Sequence, residues 1–413
     1  CMPDQATKYT LGNWGWKSTS PFSQSVEIGD QVFVSGQQAL TADGELIAPG
    51  DIGSQTRCVF ENMKAALKTA GLQMSDLVRL NTYYVFDGPD EDATEFWEEM
   101  TRVRLEYFAD PGPAATAVRI KGMPYQGQLI QIEGIALKGN ARSNRQRIMP
   151  EGSWDWSIPV PLSQGWEADG RLYVGGQISA DENGASVHVG DLGSQTRAIY
   201  DFIGNVLKDG GASFEDVGHV KICVKFNSVD SDGTRFLDRI LDVTKEYFGS
   251  NGPTVTCFGV DLLYPGLDLE IDAMAFKGAH DRMSVGAALT KAHDGFFADS
   301  VSALGETWIG GQIAQDDDGK VMAPDNFATQ SKIVFERLGE ALKASGASLE
   351  DVVKLNLFFV SEGEDVSEEL HTAMAVWSEL APQSAPAMTP VRVYELSQPG
   401  LLFQADCIAI KPN

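Results

Sequence analysis

The sequence predicts an α+β protein of three consecutive ββαβαββ domains packed together as a pseudo-trimer within one chain. A Gly-Gln pair ends a strand-like run three times, in VFVSGQQAL at Gly36-Gln37, YVGGQISA at Gly176-Gln177 and WIGGQIAQ at Gly311-Gln312, spaced 140 and 135 residues apart. Other landmarks keep that spacing. Gly44, Gly184 and Gly319 close the next turns, and Gln55, Gln195 and Gln330 open SQTR, SQTR and TQSK. Gly71, Gly211 and Gly346 end the helices, and Asp76, Asp216 and Asp351 precede the following strands. A register held at so many positions marks internal repeats. A length of 413 residues suits three units of ordinary domain size, with expected boundaries 1–140, 141–278 and 279–413.

Each element of the first repeat has a local reason. SVEIGDQVFVSGQQA alternates apolar and polar residues about Gly29-Asp30, the pattern of a hairpin, and Asp43-Gly44 marks a turn. From Ser54 to Ala70, Val59, Met63, Ala66, Leu67 and Ala70 recur at helical spacing, and Gly71 is the stop. The third repeat carries this stripe as Val334, Leu338, Ala341, Leu342 and Ser345. LVRLNTYYV reads as a third strand. A second helix shows Phe96, Met100, Val103 and Tyr107 on one face and stops at Pro111-Gly112-Pro113, and AATAVRI and QLIQIEGIAL close the unit. The result is one sheet with two helices on one face. The other face needs cover, which three units supply by packing around a pseudo-threefold axis. The polar, Gly-bearing stretches 140–152 and 279–295 read as linkers.

Bulk chemistry narrows the function. A formal net charge of −26 and a pI near 4.5 argue against nucleic acid or anionic membrane partners, which need a basic footprint. No apolar run approaches the roughly 20 residues of a membrane span, and the first residues lack the apolar core of a secretory leader. Cys1, Cys58, Cys223, Cys257 and Cys407 are odd in number and show no metal-like spacing, which suits a reducing cytoplasm. His188, His219, His280, His293 and His371 show neither HxH nor HExxH spacing and are expected to be structural or surface residues. There is no GxGxxG after a strand, no P-loop and no GxSxG, so no cofactor and no metal is expected. The expected partner is a small-molecule substrate. The pseudo-trimer is expected to be monomeric, with further self-association left open.

Three stretches carry a family resemblance. SPFSQSVEIGDQVFVSGQ, SQTRCVFENMKAALKTAGLQMSDLVRLNTYYV, and PAATAVRI with QLIQIEGIALKG resemble the reactive-intermediate-deaminase family, also called Rid or YjgF, and the likeness runs through all three repeats. The resemblance implies a chorismate-mutase-like fold and a fused form of a homotrimer whose sites lie in clefts between subunits. It implies cofactor-independent hydrolysis of enamines and imines released by pyridoxal-phosphate enzymes. In that family an arginine opening the penultimate strand grips the substrate carboxylate, a glutamate on the last strand handles water, and a hairpin aromatic lines the pocket.

Carried over residue by residue, the arginine positions hold Ala115, Val255 and Met388, so all three copies lack it. The glutamate positions hold Gln131, Glu270 and Gln404, which makes Glu270 the catalytic candidate. The hairpin positions hold Phe22, Leu162 and Phe297, and Cys257 falls where the family often has a pocket cysteine. Arg119 and Arg392 lie four residues beyond the lost arginine. They therefore face the same side of the strand and are candidates to reach the cleft, or else ion-pair structurally. Glu133, Asp272 and Asp406 keep an acid two residues past the glutamate position, and Asn81 and Asn356 match each other on the third strand, with Lys221 between them. Trp14 and Trp16 match Trp154 and Trp156, while the third copy has Leu289-Thr290-Lys291. If these pairs line clefts, the ligand is flat and apolar or aromatic.

The function expected is hydrolysis of a C–N bond in an enamine, imine or ring at a cleft between repeats. Two other readings stay open: a binding or regulatory protein without activity, and an addition–elimination or cyclisation enzyme of a specialised pathway. A ring-opening amidohydrolase is set aside because no repeated Ser–Lys pattern is present.

Overall fold

Three mixed six-stranded sheets, one per repeat, make up the computed structural model, which describes residues 6–9, 21–286, 291–364 and 366–411. In the first repeat the elements are β1 (Thr7–Tyr9), β2 (Ser25–Ile28), β3 (Gln31–Gln38), α1 (Ile52–Thr69), β4 (Leu77–Tyr84), α2 (Ala93–Arg104), β5 (Ala114–Arg119) and β6 (Ile130–Leu137). A short helix α3 (Gly139–Asn144) follows. The second repeat has β7 (Gln146–Ile148), β8 (Gly165–Ala168), β9 (Arg171–Gln177), α4 (Leu192–Asp209), β10 (Val217–Lys225), α5 (Phe236–Tyr247), β11 (Thr254–Val260) and β12 (Leu269–Phe276). The third has β13 (Asp281–Met283), β14 (Ser300–Ala303), β15 (Glu306–Ile313), α6 (Phe327–Ala344), β16 (Val352–Phe359), α7 (Ser367–Leu380), β17 (Ala387–Arg392) and β18 (Phe403–Ile410). The first sheet runs β1-β2-β3-β6-β4-β5 and the others repeat that order, with only the β4–β5 type of pair parallel.

The stretches read as linkers do more than connect. They supply β7 and β13, which pair with β8 and β14 and add a sixth, edge strand to the next sheet. Their backbone groups would otherwise face water unpaired, so pairing beside a hairpin is the favourable end state. The long helices start at Ile52 rather than Ser54, because Asp51 caps the first turn by accepting the Ser54 N–H at 3.0 Å. Asp191 and Asn326 do the same for α4 and α6. The second helix ends at Arg104, before the prolines, and buries Trp97 with Met100 and Val103, a face turned by one residue from the one centred on Phe96.

The repeated landmarks are structural devices. Gly71, Gly211 and Gly346 have φ of 73°, 75° and 78°, the left-handed helix stop that suits glycine. Gln55, Gln195 and Gln330 donate to Gly127, Gly266 and Gly400 carbonyls at 2.7, 2.8 and 2.9 Å, tying each long helix to the loop before the last strand. Asp76, Asp216 and Asp351 accept from the Gln73, Ser213 and Ser348 N–H groups at 2.9, 2.8 and 2.8 Å and close a short turn ahead of the third strand. The Gly-Gln pair lies at a register shift between β3 and β6 that recurs in the other sheets. A Cβ at Gly36, Gly176 or Gly311 would collide with Gln131, Glu270 or Gln404. The glycine thus clears room for the residue at the family's glutamate position. Gly176→Ala is expected to destabilise by about 1–3 kcal/mol through overpacking, measured as a lower midpoint of chemical unfolding.

The helix-free sheet faces meet around the axis. Phe33, Tyr173 and Trp308 lie with Met274, Phe276 and Ile408 in one apolar cluster drawn from all three sheets. Neighbours also interlock in a ring: β5 runs beside β9, β11 beside β15, and β17 beside β3.

Candidate active site

That ring creates three equivalent seams, each crossed by a last-strand side chain. Between domains 1 and 3, Gln131 Nε2 donates to the Pro390 carbonyl at 2.7 Å. Between domains 2 and 1, Glu270 Oε1 accepts the Ala117 N–H at 3.4 Å. Between domains 3 and 2, Gln404 Nε2 donates to the Cys257 carbonyl at 2.9 Å. All three side chains are buried, but their surroundings differ.

The seam of Glu270 is packed shut. Trp156 lies against Trp97 with ring centroids 4.7 Å apart and edge-on to Trp154 at 4.6 Å, and Tyr264 closes on Trp156 at 6.2 Å. Trp154 is fixed by donating Nε1 to Gln177 Oε1 at 2.9 Å. The tryptophan pair therefore fills its seam instead of lining an open pocket. Among the described residues, Glu270 Oε2, the Trp156 indole N–H and the Tyr84 hydroxyl are buried there without a hydrogen-bond partner. Burial, reinforced by the Asp272 charge and opposed by Lys221, pushes the Glu270 carboxyl up to about 8, so it is mostly protonated at neutral pH. Trp14 and Trp16 lie outside the described residues.

The seam of Gln131 is internally satisfied: its Oε1 accepts from Gln38 Nε2 at 3.0 Å, and Gln38 in turn accepts from Gln128 at 2.8 Å. The seam of Gln404 is different. It opens into a cavity of about 460 Å³ with Gln404, Cys257, Val255 and Leu241 in its lining. Arg235 and Asp238 come from the start of α5, and His293 from the segment preceding β14. Among the described residues no donor reaches Gln404 Oε1 and nothing hydrogen-bonds the His293 ring. That ring stands edge-on to Phe297 at 5.3 Å. Partial burial, aided by Lys245 and opposed by Asp242, Asp238 and Asp294, holds the imidazole below its usual pKa and hence neutral at pH 7. Burial pushes the Cys257 thiol up to about 12 despite Arg235, so it is no nucleophile at neutral pH.

Other expected site residues lie elsewhere. Phe22 packs into the core of domain 3 against Trp377, Leu162 into that of domain 1, and Phe297 into that of domain 2, so the hairpin position is an interdomain wedge. The Arg119 guanidinium is taken up by Asp90 at 2.9 Å and by Asp261, which is the ion-pair alternative. Arg392 donates to the Ser361 and Gly363 carbonyls, each at 2.8 Å, and pins a loop. Asn81 and Asn356 sit on the axis, around a cavity of about 50 Å³. Asn81 donates to Glu133 at 2.8 Å and Asn356 to Asp406 at 2.7 Å. Arg235 and Asp238, which the sequence does not single out, and His293, expected to be a structural or surface residue, all line this cavity. The available signal was that the third repeat has no tryptophan pair where the second uses one to close its seam.

Fold and seams together define a fused trimer of small α+β domains in which one last-strand side chain crosses each seam. The chain belongs to the endoribonuclease L-PSP family, known also as Rid or YjgF, whose model matches residues 16–138, 157–277 and 292–411. It is 36% identical over 122 residues to a RutC family protein of Pyrococcus abyssi, which covers 30% of this chain and 90% of that protein. It is 33% identical over 134 residues to the 3-aminoacrylate deaminase RutC of Acinetobacter baylyi, covering 32% of this chain and 97% of that one. A crystal structure of a chorismatase covers 81% of this chain and 93% of its own at a TM-score of 0.56 and 13% identity, a likeness of fold. No helix among the described residues is long and apolar enough to cross a membrane.

Proposed function

We propose that this protein is a cofactor-independent hydrolase that releases ammonia from a small enamine or imine in the cavity between domains 2 and 3. The observation that carries the reading is the coincidence of an open cavity with the seam position of Gln404, the counterpart of Glu270. Its volume falls in the range of small-molecule sites. The relatives named as deaminases support the reaction class. The family description mentions ribonuclease, but a net charge of −26 opposes binding to a polyphosphate backbone.

Gln404 cannot take a proton, so this seam needs another base. The neutral His293 ring supplies one, and Gln404 Oε1 orients the water by accepting a hydrogen bond. Water adds across the C=N bond, its oxygen to carbon and its proton, by way of His293, to nitrogen. The carbinolamine then loses ammonia as its hydroxyl proton passes through the same ring to the leaving nitrogen, and a carbonyl remains.

The test generates imines in situ from several amino acids and traps what survives as semicarbazone. The protein is expected to reduce the trapped fraction, and His293→Ala to lower the rate by about 10²-fold or more. Because the base must be neutral and its pKa lies below the ordinary imidazole value, activity should hold through pH 7 and fall only in more acid solution. No acceleration over buffer overturns the reading. A second reading places the chemistry on Glu270, favoured by its unpartnered buried oxygen, and requires Trp154 and Trp156 to move aside. Activity that survives His293→Ala but is lost in Glu270→Gln would select it.

A further inference from the structure

We infer that the ligand taken by the cavity between domains 2 and 3 is an uncharged imine with a hydrocarbon arm and no carboxylate, so the reaction that supplies it is the two-electron oxidation of a primary amine. This rests on reading that cavity as the ligand site. Its inner wall is apolar. Leu237, Leu241, Val255 and Cys257 line it and belong to the buried core of domain 2, and Ile313 adds an apolar side chain from domain 3. Val255 and Cys257 stand two apart on β11 and so share one strand face. The buried polar group on this wall is the uncharged Gln404 amide, whose Oε1 abuts Gly311: a Cβ there would lie 2.4 Å from it. Among the described lining residues the only lysine or arginine is Arg235, and it does not belong to the buried wall. Its side chain is 34% exposed, and Asp238, also lining the cavity, is exposed as well. The Cys257 thiol feels these two charges with opposite sign, and Glu395 stands 3.7 Å from Arg235. Opposed charges open to solvent are screened and leave little net pull on an anion deeper in. A carboxylate on the inner wall would lose its water and gain no cation, whereas a hydrocarbon arm gains by burial there.

Size and chemistry carry the inference one step further. A volume of about 460 Å³ exceeds what a two-carbon imine fills and suits an arm of aryl or branched-alkyl size. Hydrolysis converts R–CH=NH and water into R–CHO and ammonia. With no carboxylate on the carbon, that imine is the oxidation product of R–CH2–NH2. One C–H and one N–H bond are broken, and two electrons and two protons pass to a flavin, quinone or nicotinamide acceptor of another enzyme. The product released here is then an aldehyde rather than a 2-oxo acid. Imines of amino acids remain slower substrates, because their carboxylate must stay near the exposed end of the cavity.

The experiment compares pairs that differ only in the carboxylate, using the full chain. The imine of benzylamine and that of phenylglycine are generated in situ with an amine oxidase and an amino-acid oxidase, and each is followed by semicarbazone trapping. Calorimetry measures the non-reacting pair phenylacetamide and phenylacetate. The wild type is expected to accelerate loss of the benzylamine imine at least about tenfold more than loss of the phenylglycine imine, and to bind the amide at least about tenfold more tightly than the acid. Leu237→Lys, which adds a cation to the apolar wall near its exposed end, should narrow or reverse the binding preference, with circular dichroism and the unfolding midpoint checking that the variant is folded. The wild-type comparison decides the matter whether or not that variant folds. Equal or tighter binding of the acid, or no saturable binding of either analogue, overturns the inference. Faster hydrolysis of the phenylglycine imine overturns it too, while keeping the proposed function. Preference for the amide without acceleration of either imine would keep the carboxylate-free ligand and overturn the proposed hydrolysis.

Discussion

Asp272→Ala is expected to be the most damaging single substitution on the axis, destabilising the protein by about 3–5 kcal/mol. Asp272 is buried and pairs with Arg79 and with Lys221 at 3.0 Å, and it accepts from Thr116 of the neighbouring domain at 2.8 Å. Burial alone would raise its pKa, but Arg79 and Lys221 outweigh that and hold it down to about 2. A carboxylate with a depressed pKa stabilises the fold above its unfolded pKa, and that contribution is lost as pH falls through the folded one. Acid unfolding should therefore be steep toward pH 2, and the variant should lose that feature. Removing the carboxylate leaves two buried cations without their anion. Asp406→Asn at the equivalent position is expected to be neutral or stabilising at pH 7. Among the described residues no cation forms an ion pair with Asp406; Asn356 and Thr256 donate to it at 2.7 and 2.6 Å, and burial lifts it to about 6 against the lowering effect of those bonds and of the Lys354 charge. Urea unfolding of both variants checks the contrast, and equal losses would show that the axis is not organised by its ion pairs.

Glu270→Gln should stabilise the protein in alkaline solution and change little in acid. The folded pKa near 8 lies above the ordinary 4.5, so the native state holds this proton more tightly than the unfolded chain. The sign follows from linkage: stability is full below the unfolded pKa and declines as pH rises through the folded one. The decline is worth about 1.4 kcal/mol for each unit of separation. Glutamine keeps the shape and the acceptor facing the Ala117 N–H and never ionises. Unfolding midpoints from pH 5 to 9 check this. Parallel curves for the two proteins would mean that Glu270 is not desolvated, and would return it to the position of an ordinary carboxylate.

Much of the framework was legible because its devices are local. Helix stops at Gly71, Gly211 and Gly346 and the Asp76-type turns use residues whose backbone preference or short side-chain bond is written in a few adjacent positions, whereas the Gln55-type ties reach a distant loop and were legible only as a repeated residue. The site was legible only in part. Gln131, Glu270 and Gln404 match one another by register in the sequence, and each side chain spans a seam in the structure. Which seam opens depends on side chains from two domains at once, Trp156 against Trp97 and Tyr264 in one, His293 near Asp238 in another. Arg119 and Arg392 show the same limit from the other side. Strand alternation gives the face on which a residue sits, but Asp261 and the Ser361 carbonyl, far away in the chain, take up those guanidinium groups.

By itself the sequence determined three α+β repeats, their register, and the absence of an arginine where the penultimate strand opens in every copy, at Ala115, Val255 and Met388, since period, turn chemistry and residue identity are one-dimensional properties. Only the tertiary structure decided which of the three equivalent positions is packed, which is satisfied and which is open. Packing volume and hydrogen-bond partnership are set by residues brought together across domains, and no spacing along the chain encodes them.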